Sequence, residues 1–184
     1  MGKQKIKWNS ERILSLTAMG MSFVTLIIFI YQTNLMSRQN DLSILPYLQV
    51  SESADAESSS FMISLKNHGV GPAILESVIM IYDGKRYNVR DYNDDLIQLL
   101  SDLTKELDSL KYFSRSTLDV GIAIPANTTY EIFSVNNSPG DYKILTETLY
   151  QLESTGLRYE ITYKSIQGER WLIQNDSEGP EKLD

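Results

Sequence analysis

The feature that most constrains this chain is a gap in its charges, because no Asp, Glu, Lys or Arg lies between Arg12 and Arg38. Residues 13–31 in this gap are almost continuously apolar, and an α-helix needs about 20 such residues to cross ~30 Å of hydrocarbon. We therefore predict a transmembrane helix over 13–31. The alternative is a cleaved signal peptide, but the apolar run is longer than a signal core and no small-x-small cleavage pattern follows Tyr31.

The charges that flank this span predict its orientation. Residues 1–12 hold four basic residues and one acidic residue, whereas only Arg38 follows the span closely. By the positive-inside rule, the basic tail 1–12 stays in the cytoplasm and the domain after the span is periplasmic or extracellular. We predict a single-pass protein of the inner (plasma) membrane, with the lipid bilayer as its first partner. The four basic residues are Lys3, Lys5, Lys7 and Arg12.

The helix is predicted to continue beyond the membrane as a stalk over 32–45. One stripe recurs at alternating spacings of four and three residues, which is the pattern of a heptad. Pro46 ends the pattern, because the residue before a proline avoids the α conformation. The stripe fits a rigid stalk or, alternatively, a seam through which the membrane and stalk helices of two copies associate. It consists of Val24, Ile28, Tyr31, Leu35, Arg38, Leu42 and Leu45.

Composition excludes several kinds of site. The chain has no cysteine, so it has no disulfide and no thiolate metal site, and His68 is its only histidine. The chain carries −7 overall, and its acidic body disfavours nucleic acid as a partner. Acidic residues in the segment 91–102 have the spacing of a calcium loop, but Leu96 stands where such a loop requires glycine. We predict no metal, no cofactor and no catalytic residue.

Residues 46–175 have the pattern of a mainly β domain. Short runs that alternate apolar and polar residues are separated by turn residues, which predicts an antiparallel β-sandwich of about eight strands. Two helical insertions interrupt it, near 91–113 and 140–154. The serine-rich segment 51–60 is predicted as a loop, and 176–184 as a loose acidic tail. The predicted strands are 46–50, 61–67, 73–82, 85–89, 118–124, 128–135, 157–166 and 169–175.

The predicted helix over 91–113 has a leucine at every third or fourth position. Such a stripe is wide enough to pack on a sheet, and the strand 73–82 is apolar on both faces and requires a cover. We therefore predict that the leucines belong to the core. The alternative is a leucine surface that is exposed for a protein partner. These residues are Leu96, Leu100, Leu103, Leu107 and Leu110.

The sequence HGVGPA (68–73) raises the question of a chemical site. A dinucleotide-binding motif requires a third glycine and a following helix, but Ile74 and a predicted strand stand there. A phosphate-binding nest requires successive N–H groups, and Pro72 has none. Catalysis by His68 would require a nearby carboxylate, and the local sequence offers only Glu76.

A structural role explains the same residues better. Asn67 is able to bond the nearby backbone at the end of a strand. Gly69 and Gly71 permit a positive φ, and Pro72 prevents the strand ladder from continuing. We predict a corner formed by Asn67, Gly69, Gly71 and Pro72, at which the chain crosses from one sheet of the sandwich to the other.

Two patches resemble a diffuse group of mostly uncharacterised bacterial proteins. The first is LKNHGVGPAIL, with Asn67, Gly69, Gly71, Pro72 and Ala73, and the second is ITYKSIQGERW, with Tyr163 and Gly168. Proteins of that group carry one N-terminal membrane helix and a small β-sandwich with an N-x-G-x-G-P-A corner. The resemblance covers the layout of residues 13–175, and it implies a fold and an anchor but no activity.

These observations predict a membrane-anchored, envelope-facing interaction or sensing module that is not an enzyme. It would hold or sense a protein partner, or associate with itself through the membrane and stalk helix. One alternative is an enzyme that acts on envelope polymers. Another is a membrane-tethered cytoplasmic effector of a defence or signalling system, which the orientation of the span distinguishes from the first.

Overall fold

The computed structural model describes residues 10–183, and for 40–43 the backbone only. The chain divides into two compact units, Met1–Leu42 and Ser43–Asp184. Helix α1 (Ser10–Ser43) includes the span Ser10–Gln39, which is long and apolar enough to cross a membrane, a property that signal sequences share. The predicted basic tail 1–12 lies outside the described residues except for its last three, which begin α1.

The end of α1 corrects the predicted stalk. The helix continues without a break through residues 32–43, but it ends at Ser43 rather than at residue 45. Leu45 therefore does not extend the helical stripe, and its side chain packs instead against the core of the second unit. The helix stops earlier because residues 44–47 are held in a non-helical conformation by the domain, as described below.

Ten strands are present in the described part of the chain, and all of their pairings are antiparallel. One sheet has the order β1-β2-β7-β5, and the other has the order β10-β9-β8-β3-β4, with β6 also paired to β3. The strands are β1 (Leu48–Asp55), β2 (Ser60–Asn67), β3 (Ala73–Tyr82), β4 (Lys85–Asn88), β5 (Ser114–Arg115), β6 (Ala123–Ile124), β7 (Thr128–Val135), β8 (Arg158–Lys164), β9 (Arg170–Gln174) and β10 (Glu181–Leu183).

Both sheets contribute side chains to one hydrophobic core. Alternation places Phe61 and Leu65 of β2 in this core, because successive side chains of a strand point to opposite faces. In the second sheet, Tyr163 of β8 is completely buried and stacks on Trp171 of β9, with ring centroids 5.8 Å apart. The fold is thus a mixed α/β arrangement of antiparallel sheets and helices, rather than the predicted mainly β class.

The helix predicted over 91–113 is wrong in its length. A 3₁₀ turn at Val89–Tyr92 is followed by the short helix α2 (Leu96–Leu103) and a second 3₁₀ turn at Lys105–Ser109. Asp95 has extended backbone and caps α2, since its side chain accepts hydrogen bonds from the N–H groups of Ile97 and Gln98. Thr104 is also extended, so α2 ends before it. The second insertion is confirmed as α3 (Pro139–Ser154).

Three other segments differ from their predictions. Much of 51–60 continues strand β1, because each of its residues up to Asp55 pairs with β2. In 118–124, only Ala123 and Ile124 form a strand. The tail 176–184 is not wholly loose: β10 pairs with β9, and the Lys182 ammonium lies 2.6 Å from the Glu169 carboxylate. Asp184 lies outside the described residues.

Candidate functional site

The predicted corner binds the stretch of chain that follows helix α1. We call residues 44–47 the connector, because they join α1 to β1, and residues 67–73 the corner. The Tyr47 carbonyl accepts a hydrogen bond of 2.8 Å from the N–H of His68, and the Leu45 carbonyl accepts one of 3.0 Å from Val70 and one of 3.4 Å from Gly71. The corner therefore holds the connector by its backbone.

The two corner glycines are required by this close approach. A Cβ atom on Gly69 would lie 2.5 Å from Tyr47 N and 2.7 Å from Pro46 Cα, and one on Gly71 would lie 2.8 Å from Ile44 Cα and nearer still to the Ile44 carbonyl. Real Cβ atoms do not approach backbone so closely. Neither glycine is among the residues of positive φ, so the predicted reason for them was wrong. They make room for a second segment of chain.

Asn67 joins the corner to two other segments, the connector and β6, and its side chain is completely buried. Its Oδ1 accepts hydrogen bonds from the N–H groups of Tyr47 (3.1 Å) and Gly69 (2.9 Å). Its Nδ2 donates to the carbonyl oxygens of Gly71 (2.9 Å) and Ile124 (3.0 Å). The amide thus uses both acceptor positions and both donor positions, and each partner is a backbone group.

The residues that suggested chemistry have structural roles here. His68 is exposed and contributes its backbone N–H to the connector. Glu76 pairs with Arg170 at 2.6 Å and with Lys164 at 3.3 Å across the second sheet. Burial raises the pKa of Glu76, but the hydrogen bonds from these two cations outweigh it and the net pKa is lowered. Pro72 directly precedes β3, whose first residue, Ala73, pairs with Ile124.

The first residue of β1 is tied to the opposite sheet. The hydroxyl of the buried Tyr163 accepts a hydrogen bond of 3.3 Å from the N–H of Leu48, the residue after the connector. Burial is the main reason that the pKa of Tyr163 is raised to about 12, so the phenol is neutral at physiological pH. The other residue that carried the second patch, Gly168, has φ of +87° in the turn between β8 and β9.

Four of the five leucines proposed as an alternative partner surface are buried. Leu96, Leu100, Leu107 and Leu110 are at most 8% exposed, and Leu103 is half-buried against the same core. They belong to the same hydrophobic core as the side chains of the two sheets. In this structure they do not form an exposed surface for a partner.

The acidic residues with calcium-loop spacing do not converge. Asp95 caps α2 and forms an ion pair with Arg115. Asp102 accepts a hydrogen bond of 3.3 Å from the hydroxyl of Tyr92, and the Asn93 side chain donates to Gln98. Among residues 10–183, no group of three or more His, Asp and Glu side chains is placed to hold a metal ion.

Comparison of the chain with protein-family models and with curated proteins found no match.

Sequence reasoning identified the corner but missed two contacts that surround it. It did not identify the connector as the segment that the glycines accommodate, since the two are more than 20 residues apart in the chain. It also missed the hydrogen bond from the N–H of Leu48 to the hydroxyl of Tyr163. The alternating pattern of 157–166 indicates only that the Tyr163 side chain faces inward. The available signal was the short N-terminal segment PYLQV, which follows the helix without any flexible linker.

Proposed function

We propose that this protein is a single-pass, membrane-anchored module that holds or senses a partner at the cell envelope, without catalytic activity of its own. In this proposal α1 is the anchor, and the domain after it faces the periplasm or the exterior. The two antiparallel sheets form a β-sandwich that presents the partner-binding surfaces. We also propose that the protein is related to the membrane-anchored bacterial proteins that its two sequence patches resemble.

The observation that carries the proposal is the fixed connector. A domain that is only tethered to a membrane is commonly joined to its anchor by a flexible, Gly- or Ser-rich linker. Here the chain leaves α1 and enters the domain within residues 44–47, where Leu45 and Tyr47 form hydrogen bonds with the corner and Ile44 and Pro46 lie close to its glycines. Such a fixed entry point suits a domain in which the binding of a partner acts on the segment that follows the anchor.

Topology is the first test. A reporter that is active only after export, fused after Asp184, should be active, and a reporter that is active only in the cytoplasm should be inactive there. The matched control is a variant in which Lys3, Lys5 and Lys7 are replaced by Glu. This variant lacks most of the basic flank on which the predicted orientation depends. The mass of the membrane-extracted protein should equal that of the uncleaved chain. A shortened chain or the reverse reporter pattern would overturn the proposal and favour the signal-peptide or cytoplasmic interpretation.

Partner binding is the second test. The full-length protein is cross-linked in native membranes and purified beside a variant in which residues 13–31 are replaced by an unrelated apolar helix. Partners of the domain should be retained by both proteins, whereas self-association through the helix should be lost in the variant. Release of soluble sugars or peptides from purified envelope polymers by the protein would instead establish the enzymatic alternative.

A further inference from the structure

The domain contains an apolar cavity of about 100 Å³ between the two sheets and helices α2 and α3. Its walls include Val50 and Ile63 of the first sheet, Met80 of the second, Leu100 of α2 and Leu149 of α3. Apolar cavities of this order of size stay dry and accept small apolar molecules such as benzene. The cavity therefore has the size and lining for one small hydrocarbon group.

The mouth of the cavity is acidic. Glu52 of β1 and Glu153 of α3 are exposed residues that line both this cavity and a wider open hollow of about 440 Å³ outside it. The outer hollow is also lined by Tyr142, Tyr150 and Glu147. Carboxylates and tyrosine rings together favour a cation, since a cation is attracted both by the negative charge and by the face of an aromatic ring.

The positive charges near these carboxylates are already paired. Arg158 also lines the inner cavity, but its guanidinium lies 2.9 Å from the Asp176 carboxylate. Lys143 lies 3.8 Å from Glu147. Over the described residues 10–183, no Lys or Arg side chain forms an ion pair with Glu52 or Glu153. Burial and the charge of Glu153 both raise the pKa of Glu52, so a cation placed here would relieve an unfavourable arrangement.

We propose that the cavity and the outer hollow together bind a small organic ammonium ion. Its apolar group enters the cavity beside Leu149, and its cationic group lies outside, between the Glu52 and Glu153 carboxylates and close to the tyrosine rings. The contact with Val50 and Glu52 places the ligand on β1, the strand that begins directly after the connector. The inference concerns binding alone, and it holds on whichever side of a membrane the domain lies.

The test uses the full-length protein in nanodiscs of zwitterionic lipid, with empty nanodiscs as the correction for partitioning. Three probes share a 4-fluorophenyl group and are similar in size but differ in charge: 4-fluorobenzylammonium, 4-fluorobenzyl alcohol and 4-fluorobenzoate. Binding is followed by fluorine NMR of the probe. We expect the ammonium to bind about tenfold more tightly than the alcohol, the size of effect that roughly 1.4 kcal/mol of charge interaction produces, and the benzoate not to bind.

Two sets of variants locate the site. The double variant Glu52→Gln, Glu153→Gln changes only exposed side chains, and it should reduce the affinity for the ammonium to that for the alcohol. Glu57→Gln, which alters an exposed carboxylate in the loop between β1 and β2, should change nothing. Leu149→Phe should fill the cavity and abolish the binding of both probes.

Several results would overturn the proposal. They are equal binding of the three probes, unchanged preference for the ammonium in the double variant, and full binding by a folded Leu149→Phe protein. If Leu149→Phe does not fold, the double variant decides the question alone. Failure of this test would leave the topology result unaffected, because the latter depends on the flanks of α1 and not on the cavity.

Discussion

The side chain of Asn67 accepts a hydrogen bond of 3.1 Å from the backbone N–H of Tyr47, and the two residues belong to segments that are 20 residues apart. Tyr47 is the last residue of the connector, whereas Asn67 is the last residue of β2. One buried amide thus fixes the place where the chain enters the domain. It follows that variants of the corner should act on the attachment of residues 44–47 as well as on the stability of the domain.

Replacing Asn67 by Asp is the most direct test of that amide. The variant keeps the shape and the two acceptor interactions, but it loses the donors to the Gly71 and Ile124 carbonyls and places a carboxylate in a completely buried position. Unsatisfied buried groups cost about 1–3 kcal/mol each, so we expect the free energy of unfolding to fall by at least this amount. Denaturant titration of the full-length protein in mild detergent, followed by the fluorescence of the buried Trp171, measures it. The exposed Asn136→Asp is the control, and an equal effect of the two would contradict the assigned role.

Gly71→Ala should destabilise the domain although Gly71 has no positive φ. The added methyl would overlap the backbone of Ile44, and relieving such overpacking costs about 1–3 kcal/mol or more. Amide hydrogen exchange should rise in residues 44–48, because the connector must move away from the corner. Gly140→Ala is the matched control, since nothing lies within 4 Å of its Cβ position. Protection of residues 44–48 that is unchanged in Gly71→Ala would show that the connector is not held in this way.

These two residues show what local sequence is able to predict. A strand that ends in Asn, followed by glycines and a proline, predicts a corner, because each residue has a local conformational preference. The reason for the glycines was not predictable in the same way. It depends on residues 44–47, which precede β1 and lie beside the corner because the first residue of β1 pairs with the last residue of β2. The local pattern around the glycines gives no sign of that pairing.

In the leucine segment, too, the local pattern predicted which side chains are buried but not the course of the backbone. The spacing of Leu96, Leu100 and Leu107 correctly indicated one apolar face, since that face is buried. The predicted continuous helix is wrong, because Asp95 and Thr104 take extended backbone and divide the segment into two 3₁₀ turns and one short helix. The cavity could not be predicted at all, since it is enclosed by side chains of five strands and two helices that no sequence pattern relates.

Leu107→Ala distinguishes a core residue from an interface residue. Leu107 is only 2% exposed, so truncation should leave a cavity and lower the free energy of unfolding of the isolated protein by about 2–5 kcal/mol. The half-buried Leu103 is the comparison, and Leu103→Ala should cost less. If Leu107→Ala left the stability of the isolated protein unchanged and weakened only its assembly, the partner-surface interpretation would be restored.

Asp141 should make the domain sensitive to acid. Its carboxylate is buried and accepts hydrogen bonds from the N–H groups of Lys111 (3.1 Å) and Tyr112 (3.0 Å) and from the hydroxyl of Ser138 (2.8 Å). Burial raises its pKa, but these hydrogen bonds outweigh burial, and the net pKa lies below the ordinary 3.8. The stabilisation is therefore fully present above pH 3.8 and is lost as the pH falls through the lower, folded-state pKa.

The variant Asp141→Asn removes this titration. It should be less stable than the native protein at neutral pH by about 1–3 kcal/mol, because the amide nitrogen is unable to accept one of the hydrogen bonds. Thermal unfolding from pH 7 to pH 2.5 should then show a smaller loss for Asp141→Asn than for the native protein. The exposed Asp108→Asn serves as the control and should follow the native curve. Parallel curves for all three proteins would rule out Asp141 as the source of the acid sensitivity.

Tyr163 should make the domain sensitive to alkaline pH. Its folded-state pKa of about 12 lies above the ordinary value of 10.0, mainly because the phenol is buried. The neutral phenol therefore stabilises the fold fully below pH 10, and this contribution, about 3 kcal/mol in total, is lost as the pH rises through about 12. Tyr163→Phe has no such group, so its stability should not contain this loss.

The comparison of the two proteins isolates Tyr163 from the other tyrosines. At pH 8, Tyr163→Phe should be less stable by about 1–2 kcal/mol, since the N–H of Leu48 loses its acceptor in the core. Between pH 10 and pH 12 the difference should shrink, and the absorbance titration of the variant should lack the most alkaline tyrosine. Tyr112→Phe, which alters an exposed phenol, should keep the native pH dependence. A constant difference between the native protein and Tyr163→Phe up to pH 12 would mean that the Tyr163 phenol ionises as easily in the folded domain as in the unfolded chain.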